Sequence, residues 1–303
     1  FTANHRHAEA VCEEMLRRNL KMKWSVFARV DRISEDLARL MNRAGCDWVL
    51  FGVESADEGI LKTIRKGITP EEVRRGVKIA AEAGINVFNS FIFGLPGESW
   101  DTALKSLAFG DELYHKYGAK YGFHMLSPLP GTELYERAKD YRVRILSRNW
   151  ARYNANEPIT ETATMSTEMV KEAMSIYDRG IEAAWDDIKR RAKDGDAQCA
   201  EILEGKEREK FVWTLLQGDV IEKLGEMASA AALNLGDAEA ELARRVSLKL
   251  GVDIAVAQRR MSELIAKGVL RLESKGNSLR WQWADTQKLK LASEVTPAIS
   301  CQA

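Results

Sequence analysis

The sequence predicts an α/β chain: parallel βα units first, then a helical segment, then a small winged-helix unit. Three observations predict it. Strand-like apolar runs and helix-spaced runs alternate four times between Trp24 and Glu133, the signature of parallel βα units with right-handed crossovers. Runs such as Trp48-Val-Leu-Phe-Gly-Val53 are almost continuously apolar, as strands covered on both faces are. Near the C-terminus, helix-spaced segments precede two period-two segments around a Gly-Asn turn, which is a hairpin signal.

Residues 7–19 read as a helix and Trp24–Val30 as the first strand. The next helix has Ile33, Leu37, Leu40, Met41 and Ala44 at helical spacing, with Ser34 as its cap and Gly45 as its stop. Trp48–Val53 is the second strand, and a short helix follows through Ile60, Leu61 and Ile64 to Gly67. Thr69-Pro-Glu-Glu72 is a capping box with proline at the first helical position. The helix it opens runs to Gly84, before the third strand, 86–93, rich in β-branched and aromatic residues. Gly94, Pro96 and Gly97 end that strand, a helix spans about 98–117, and the fourth strand is Tyr121–Leu126. The loop 127–132 leads to a helix from Glu133. Four units do not close a barrel, and a chain opening Phe1-Thr-Ala-Asn4 reads as a piece of a longer protein.

Between about 143 and 165 the alternation breaks into a polar loop holding Trp150, Tyr153, Asn154 and Asn156. A long helix spans 166–194, and Gly195 and Gly205 mark a linker. One helix is expected through Val220, Leu224 and Met227, a second capped by Asp237, and a third opened by Asp253. The expected organisation is a βα unit over 1–165, a helical linker over 166–210, a winged-helix-like domain over 211–284 and a frayed polar tail over 285–303.

Composition excludes some classes. Hydrophobic residues make up 45% and charged residues 30%, an ordinary soluble profile. With 45 basic and 45 acidic residues, net charge gives no drive toward nucleic acid or anionic membrane. No apolar run approaches the roughly 20 residues that span a bilayer. Cys12, Cys46, Cys199 and Cys301 are scattered, which points to a reducing, cytoplasmic setting and to buried structural thiols at Cys12 and Cys46.

In parallel α/β proteins ligands bind at the C-terminal ends of the strands. That rim gathers Arg29 and Asp31, then Glu54 and Ser55, then Gly94 to Glu98, then His124 to Thr132. A carboxylate at Glu54 can take two hydrogen bonds from a ribose, and Arg29 can pair with a ligand carboxylate. The strand backbone from Phe91 to Phe93, through Ile92, can receive a flat ring. His124 and Pro130 are candidate substrate contacts. No residue stands out as catalytic, and no metal ligand set is present.

Arg29-Val-Asp31, Ala44-Gly-Cys46, Phe51-Gly-Val-Glu-Ser55, Ile92-Phe-Gly-Leu-Pro-Gly-Glu98 and Pro128-Leu-Pro-Gly-Thr132 occur in the order seen in radical S-adenosylmethionine enzymes. Over residues 1–165 the chain resembles the branch of that family with an N-terminal cobalamin-binding domain. The resemblance implies a partial (β/α) TIM-like barrel, here incomplete. It implies a [4Fe–4S] cluster on a C-x-x-x-C-x-x-C loop, S-adenosylmethionine cleaved to a 5′-deoxyadenosyl radical, and cobalamin in the parent protein. By the same resemblance Glu54 and Ser55 contact the ribose, Phe91, Ile92, Gly94 and Glu98 belong to the adenine-side G-x-I-x-G-x-x-E motif, and Arg29 faces the methionyl end. Phe1, Thr2 and Asn4 match the end of the preceding strand, where the family binds the methionine amino group. Two positions depart from the motif: Ser90 replaces its first glycine, and Glu98 falls one residue late.

The cysteine triad is absent from this sequence. These residues alone, supplied with iron and sulfide, are therefore expected to yield no 5′-deoxyadenosine. The function expected is that of the C-terminal portion of such an enzyme, performing methyl transfer or radical cyclisation or rearrangement at an unactivated carbon of a small molecule. The alternative is a βα scaffold fused to a winged-helix DNA-binding regulator. Gln258, Arg259, Arg260 and Lys267 on the third helix, with Arg271, Lys275 and Arg280 on the hairpin, could contact phosphates. Glu263 and Glu273 interrupt them, and in a relative of the resembled family a helical C-terminal domain covers the barrel mouth. A lid or docking role is therefore favoured over nucleic acid.

Overall fold

A computed structural model describes residues 1–227, 235–275 and 278–284, so the expected tail, Cys301 and the Gly276-Asn277 turn lie outside the described residues. The described residues fall into two units, 1–184 and 185–284.

The first unit runs α1 (His5–Arg17), β1 (Trp24–Ala28), α2 (Glu35–Arg43), β2 (Cys46–Glu54), α3 (Glu58–Thr63), α4 (Pro70–Glu82), β3 (Asn86–Phe93), α5 (Trp100–Tyr117) and β4 (Lys120–Met125). The four strands pair in chain order and all in parallel, an α/β sheet as the apolar runs predict. Local chemistry sets the boundaries. Ser34 accepts a hydrogen bond from the Leu37 amide at 3.2 Å, and Thr69 and Glu72 form the reciprocal capping box. Gly45 sits at φ +95°, where an added Cβ would fall 2.1 Å from the Met22 carbonyl oxygen, so only glycine fits this turn into β2.

Alternation sorts each strand into two faces. Val49, Phe51 and Val53 of β2, Val87, Phe91 and Phe93 of β3, and Phe123 and Met125 of β4 point into the helix-covered core beside Leu37, Met41 and Val77. Gly52, Glu54, Ser90, Ile92 and His124 take the other parity. Phe123 stacks on Phe93 at 4.3 Å and on Phe91 at 5.1 Å between ring centroids.

Beyond β4 the structure differs from the expectation in detail. The helix at Glu133 is one turn, α6 (Glu133–Glu136), because Gly131 and the ion-paired 137–142 stretch turn the chain away. The 143–165 segment is not all loop: β5 (Val143–Ile145) pairs antiparallel with β6 (Thr160–Thr162). Helix α7 (Thr167–Lys193) sends Val170, Ala173 and Tyr177 into the first core.

The second unit continues with α8 (Ala197–Gln217), α9 (Val220–Leu224), β7 (Glu226–Met227), α10 (Leu235–Leu250), α11 (Ile254–Ala266), β8 (Leu270–Lys275) and β9 (Ser278–Trp283). Gly205 lies inside α8 rather than ending a helix; a Cβ there would meet nothing within 4 Å. Met227 belongs to a short strand rather than the expected helix, because β7 pairs with β9 in a three-stranded antiparallel sheet ordered β7-β9-β8. Asp253 caps α11 through the Ala255 amide, whereas Asp237 stands in the first turn of α10 instead of at its cap. Trp281, Trp283, Leu242, Val246, Met261 and Leu215 share one core.

Candidate functional site

The rim at the C-terminal ends of β1 to β4 is built by a defect in the β2–β3 ladder. Gly52 pairs with Ser90, but Glu54 pairs with Phe91, so Val53 is an extra residue on β2. Such a bulge re-aims the side chain after it. Glu54 takes a left-handed backbone, φ +69°, uncommon for a residue with a Cβ. Its carboxylate bonds to Lys66 Nζ at 2.6 Å, both side chains being half-buried.

On the next strand Ile92 pairs with His124 of β4. The Glu54 carboxylate lies over the bare face of Gly52, whose partner is Ser90, and within electrostatic reach of His124, so Glu54, Ile92 and His124 gather on one face at the ends of three neighbouring strands. Burial holds the His124 imidazole below its ordinary pKa, only partly opposed by the Glu54 carboxylate, so His124 is neutral near pH 7. Beside Ile92 lies an apolar patch in which Ile60, Leu95 and Leu126 are buried and Ile64 and Leu134 partly so.

The turn after β3 is closed from inside. Gly94, at φ +87°, donates its amide to Glu98 Oε2, and the Glu98 amide donates to the Leu95 carbonyl at 3.0 Å. Thr164 Oγ1 donates to the Glu98 carbonyl. The Glu98 side chain is fully buried and its Oε1 has no hydrogen-bond partner. Burial pushes its carboxyl up to about 7, against the Gly94 and Leu95 amides, which pull the other way. Helix α5 starts only at Trp100, capped by Ser99, so Glu98 is a clamp in the turn rather than a helix-start residue.

The remaining sequence candidates are placed as follows. Ser55 shares the parity of Phe51 and Val53; it is fully buried, accepts the Asp57 amide at 3.1 Å and touches Ser106 Oγ. The Phe91 ring is likewise fully buried in the aromatic stack, and β3 has paired neighbours on both edges there, so a ring on this face meets the Ile92 side chain rather than free backbone. The Arg29 guanidinium forms a fork with Asp31 at 3.0 and 3.1 Å and donates to the Lys66 carbonyl at 3.4 Å. Thr2 Oγ1 bridges the Arg29 backbone, accepting from its amide at 3.1 Å. Pro130 is exposed in the loop after β4. Lys66 is the residue that the sequence reading missed; among Lys62, Arg65 and Gly67 it looks like one more solvated charge.

The thiols do not fit a cluster site. Cys12, Cys46 and Cys199 are buried free thiols, and burial pushes the Cys46 thiol up to about 12 and raises that of Cys12. Among the described residues no three His, Cys, Asp or Glu side chains gather as a metal-binding group, and no helix is long and apolar enough to cross a membrane.

Three of the cations expected to meet phosphates, Arg259, Arg260 and Arg280, are engaged within the second unit, whereas Lys267 and Arg271 are exposed. The Arg260 side chain is 2% exposed and pairs with Glu204 of α8 at 2.5 Å and with Glu263 at 3.2 Å. Arg259 also reaches Glu204, and Arg280 donates to the Glu222 carbonyl at 2.8 Å.

Residues 2–110 match the family described as the radical SAM superfamily. An uncharacterised methyltransferase of Pyrococcus horikoshii is 31% identical over 174 residues, 57% of this chain and 37% of that protein. The anaerobic magnesium-protoporphyrin IX monomethyl ester cyclase of Rubrivivax gelatinosus is 28% identical over 171 residues, 55% of this chain and 30% of its own. The chain thus spans about a third of the length of these curated relatives. Among solved structures, the radical S-adenosylmethionine methyltransferase TsrM from Kitasatospora setae, with cobalamin and a [4Fe-4S] cluster bound, overlaps 55% of this chain and 34% of its own at 23% identity, with a TM-score of 0.40.

Proposed function

We propose that this chain, whose residues 2–110 match the radical SAM superfamily, carries the S-adenosylmethionine-binding rim of a cobalamin-type radical enzyme. The observation that carries the proposal is the Glu54 carboxylate, folded over Gly52 and within electrostatic reach of His124, on the face of the strand ends that Ile92 and His124 share. Glu54 takes the ribose hydroxyls, Ile92 and the Gly94–Gly97 turn flank the adenine, and neutral His124 offers a donor or acceptor beside them. The apolar patch around Leu95 and Leu126 suits the face of a base. S-adenosylmethionine brings an activated sulfonium to that rim; the chain's own residues bind and orient its nucleoside end.

The cluster ligands are not among these 303 residues, since the sequence has no C-x-x-x-C-x-x-C run and the described thiols, Cys12, Cys46 and Cys199, are buried. We assign them, with the cobalamin site, to sequence outside this chain. Methyl transfer, or radical cyclisation or rearrangement at an unactivated carbon of a small molecule, is the reaction class; a methyltransferase and a cyclase among the relatives support it. The helices and hairpin of the second unit, read as a winged helix, serve as a docking module, because Arg259, Arg260 and Arg280, three of the cations a phosphate backbone would need, are held within the unit.

Calorimetric titration of the full chain with S-adenosylhomocysteine tests the reading. The expected result is binding that Glu54→Ala weakens about 30-fold, the cost of losing charge-assisted hydrogen bonds of about 2 kcal/mol in total. An affinity unchanged by that substitution, in a variant that folds normally, contradicts it.

A further inference from the structure

We propose that Lys66 is a positioning residue that sets Glu54 for recognition of a ribose cis-diol, with Gly52 providing the room; this rests on the rim reading above. Lys66 Nζ lies 2.6 Å from Glu54 Oε1. A Cβ on Gly52 would fall 2.6 Å from that same oxygen and 3.0 Å from the Lys66 nitrogen, so the ion pair lies folded over the bare backbone of the preceding out-facing residue. Gly52 has no left-handed φ, so its backbone does not demand glycine; the clearance does.

The backbone that carries the ammonium is itself held. The Lys66 amide donates to the Leu61 carbonyl at 2.9 Å, and its carbonyl accepts from Arg29 Nη2 at 3.4 Å. Arg65 and Gly67 on either side both take left-handed backbone, φ +55° and +66°, which fixes the loop that delivers the side chain. Arg29 is fixed in turn by its fork with Asp31. The chain from Asp31 through Arg29 and Lys66 ends on Glu54, whose own left-handed backbone is of the strained kind that persists only where surroundings impose it. Lys66 occupies one oxygen and leaves the carboxylate's other lone pairs for two hydroxyl donors. Without it, a partly buried carboxylate on a strained residue has nothing to hold its direction.

The test is titration of the full-length chain with S-adenosylhomocysteine and with its 2′-deoxy counterpart, read as the ratio of the two affinities. Wild type is expected to favour the intact diol about tenfold, the worth of roughly one charge-assisted hydrogen bond. Lys66→Met is expected to bring the ratio close to one with the thermal midpoint little changed, Lys66→Arg to restore most of it, and Gly52→Ala to lose it by displacing the same pair. Loss of overall stability alone would not move a ratio between two ligands. If wild type discriminates and Lys66→Met still does, the inference is overturned while the rim reading stands. The same holds if Lys66→Met binds the diol more tightly, which would make Lys66 a competitor. If wild type binds neither ligand, or both equally, the rim reading and this inference fall together.

Discussion

Replacing Glu98 with glutamine is expected to stabilise the protein at pH 8 by about 3 kcal/mol relative to its effect at pH 4.5. In the folded chain the buried carboxyl titrates near 7; in the unfolded chain it returns to the ordinary range near 4.5. Below the lower value both states hold the proton, and the stability contributed by the neutral carboxyl is fully present. As pH rises the unfolded chain releases its proton first, and the contribution is lost progressively until pH passes about 7. Glutamine keeps an acceptor for the Gly94 amide and never ionises. Chemical denaturation of both proteins from pH 4.5 to 8 reads the effect as a difference that grows through this window and then levels. A flat difference contradicts the burial of Glu98 within its turn.

Phe123→Ala is expected to cost about 4 kcal/mol, among the largest effects of any single change in the first unit. Its ring lies against Phe93, Phe91 and Tyr177, with centroids at 4.3, 5.1 and 5.3 Å, and is 2% exposed. Removing it opens a cavity between β3, β4 and α7 that these three packed elements cannot close. Phe27→Ala removes the same atoms from a ring 73% exposed and is expected to change stability by no more than about 0.5 kcal/mol. Equal effects from the two in denaturant titrations would contradict the assignment of strand faces.

Much of this architecture is legible in the residues. Continuous apolar runs mark β2 and β3, and Ser34 and Thr69 announce their helices because a hydroxyl before an acidic first turn satisfies otherwise unpaired amides. Strand parity also carries information that motif matching passes over. Ser55 alternates with Phe51 and Val53 and so goes inside, although it stands next to Glu54 in sequence.

What was not legible has physical causes. The charged run around Gly205 hides α8, whose apolar anchors Phe211, Val212 and Leu215 come only in its last two turns. Without α8 in view, Arg260 reads as a surface cation instead of the buried partner of Glu204. Strands β5 and β6, three residues each, are too short to show a period of two. The bulge at Val53 and the clamp at Glu98 depend on contacts between strands and turns, which no local pattern encodes.

A crystal structure of the chain with S-adenosylhomocysteine would show where the nucleoside sits. Both ribose hydroxyls are expected within hydrogen-bond distance of the Glu54 carboxylate, with the adenine packed on Ile92 beside the Gly94–Gly97 turn. A nucleoside bound elsewhere on the chain, with Glu54 touching only Lys66, would contradict the rim reading.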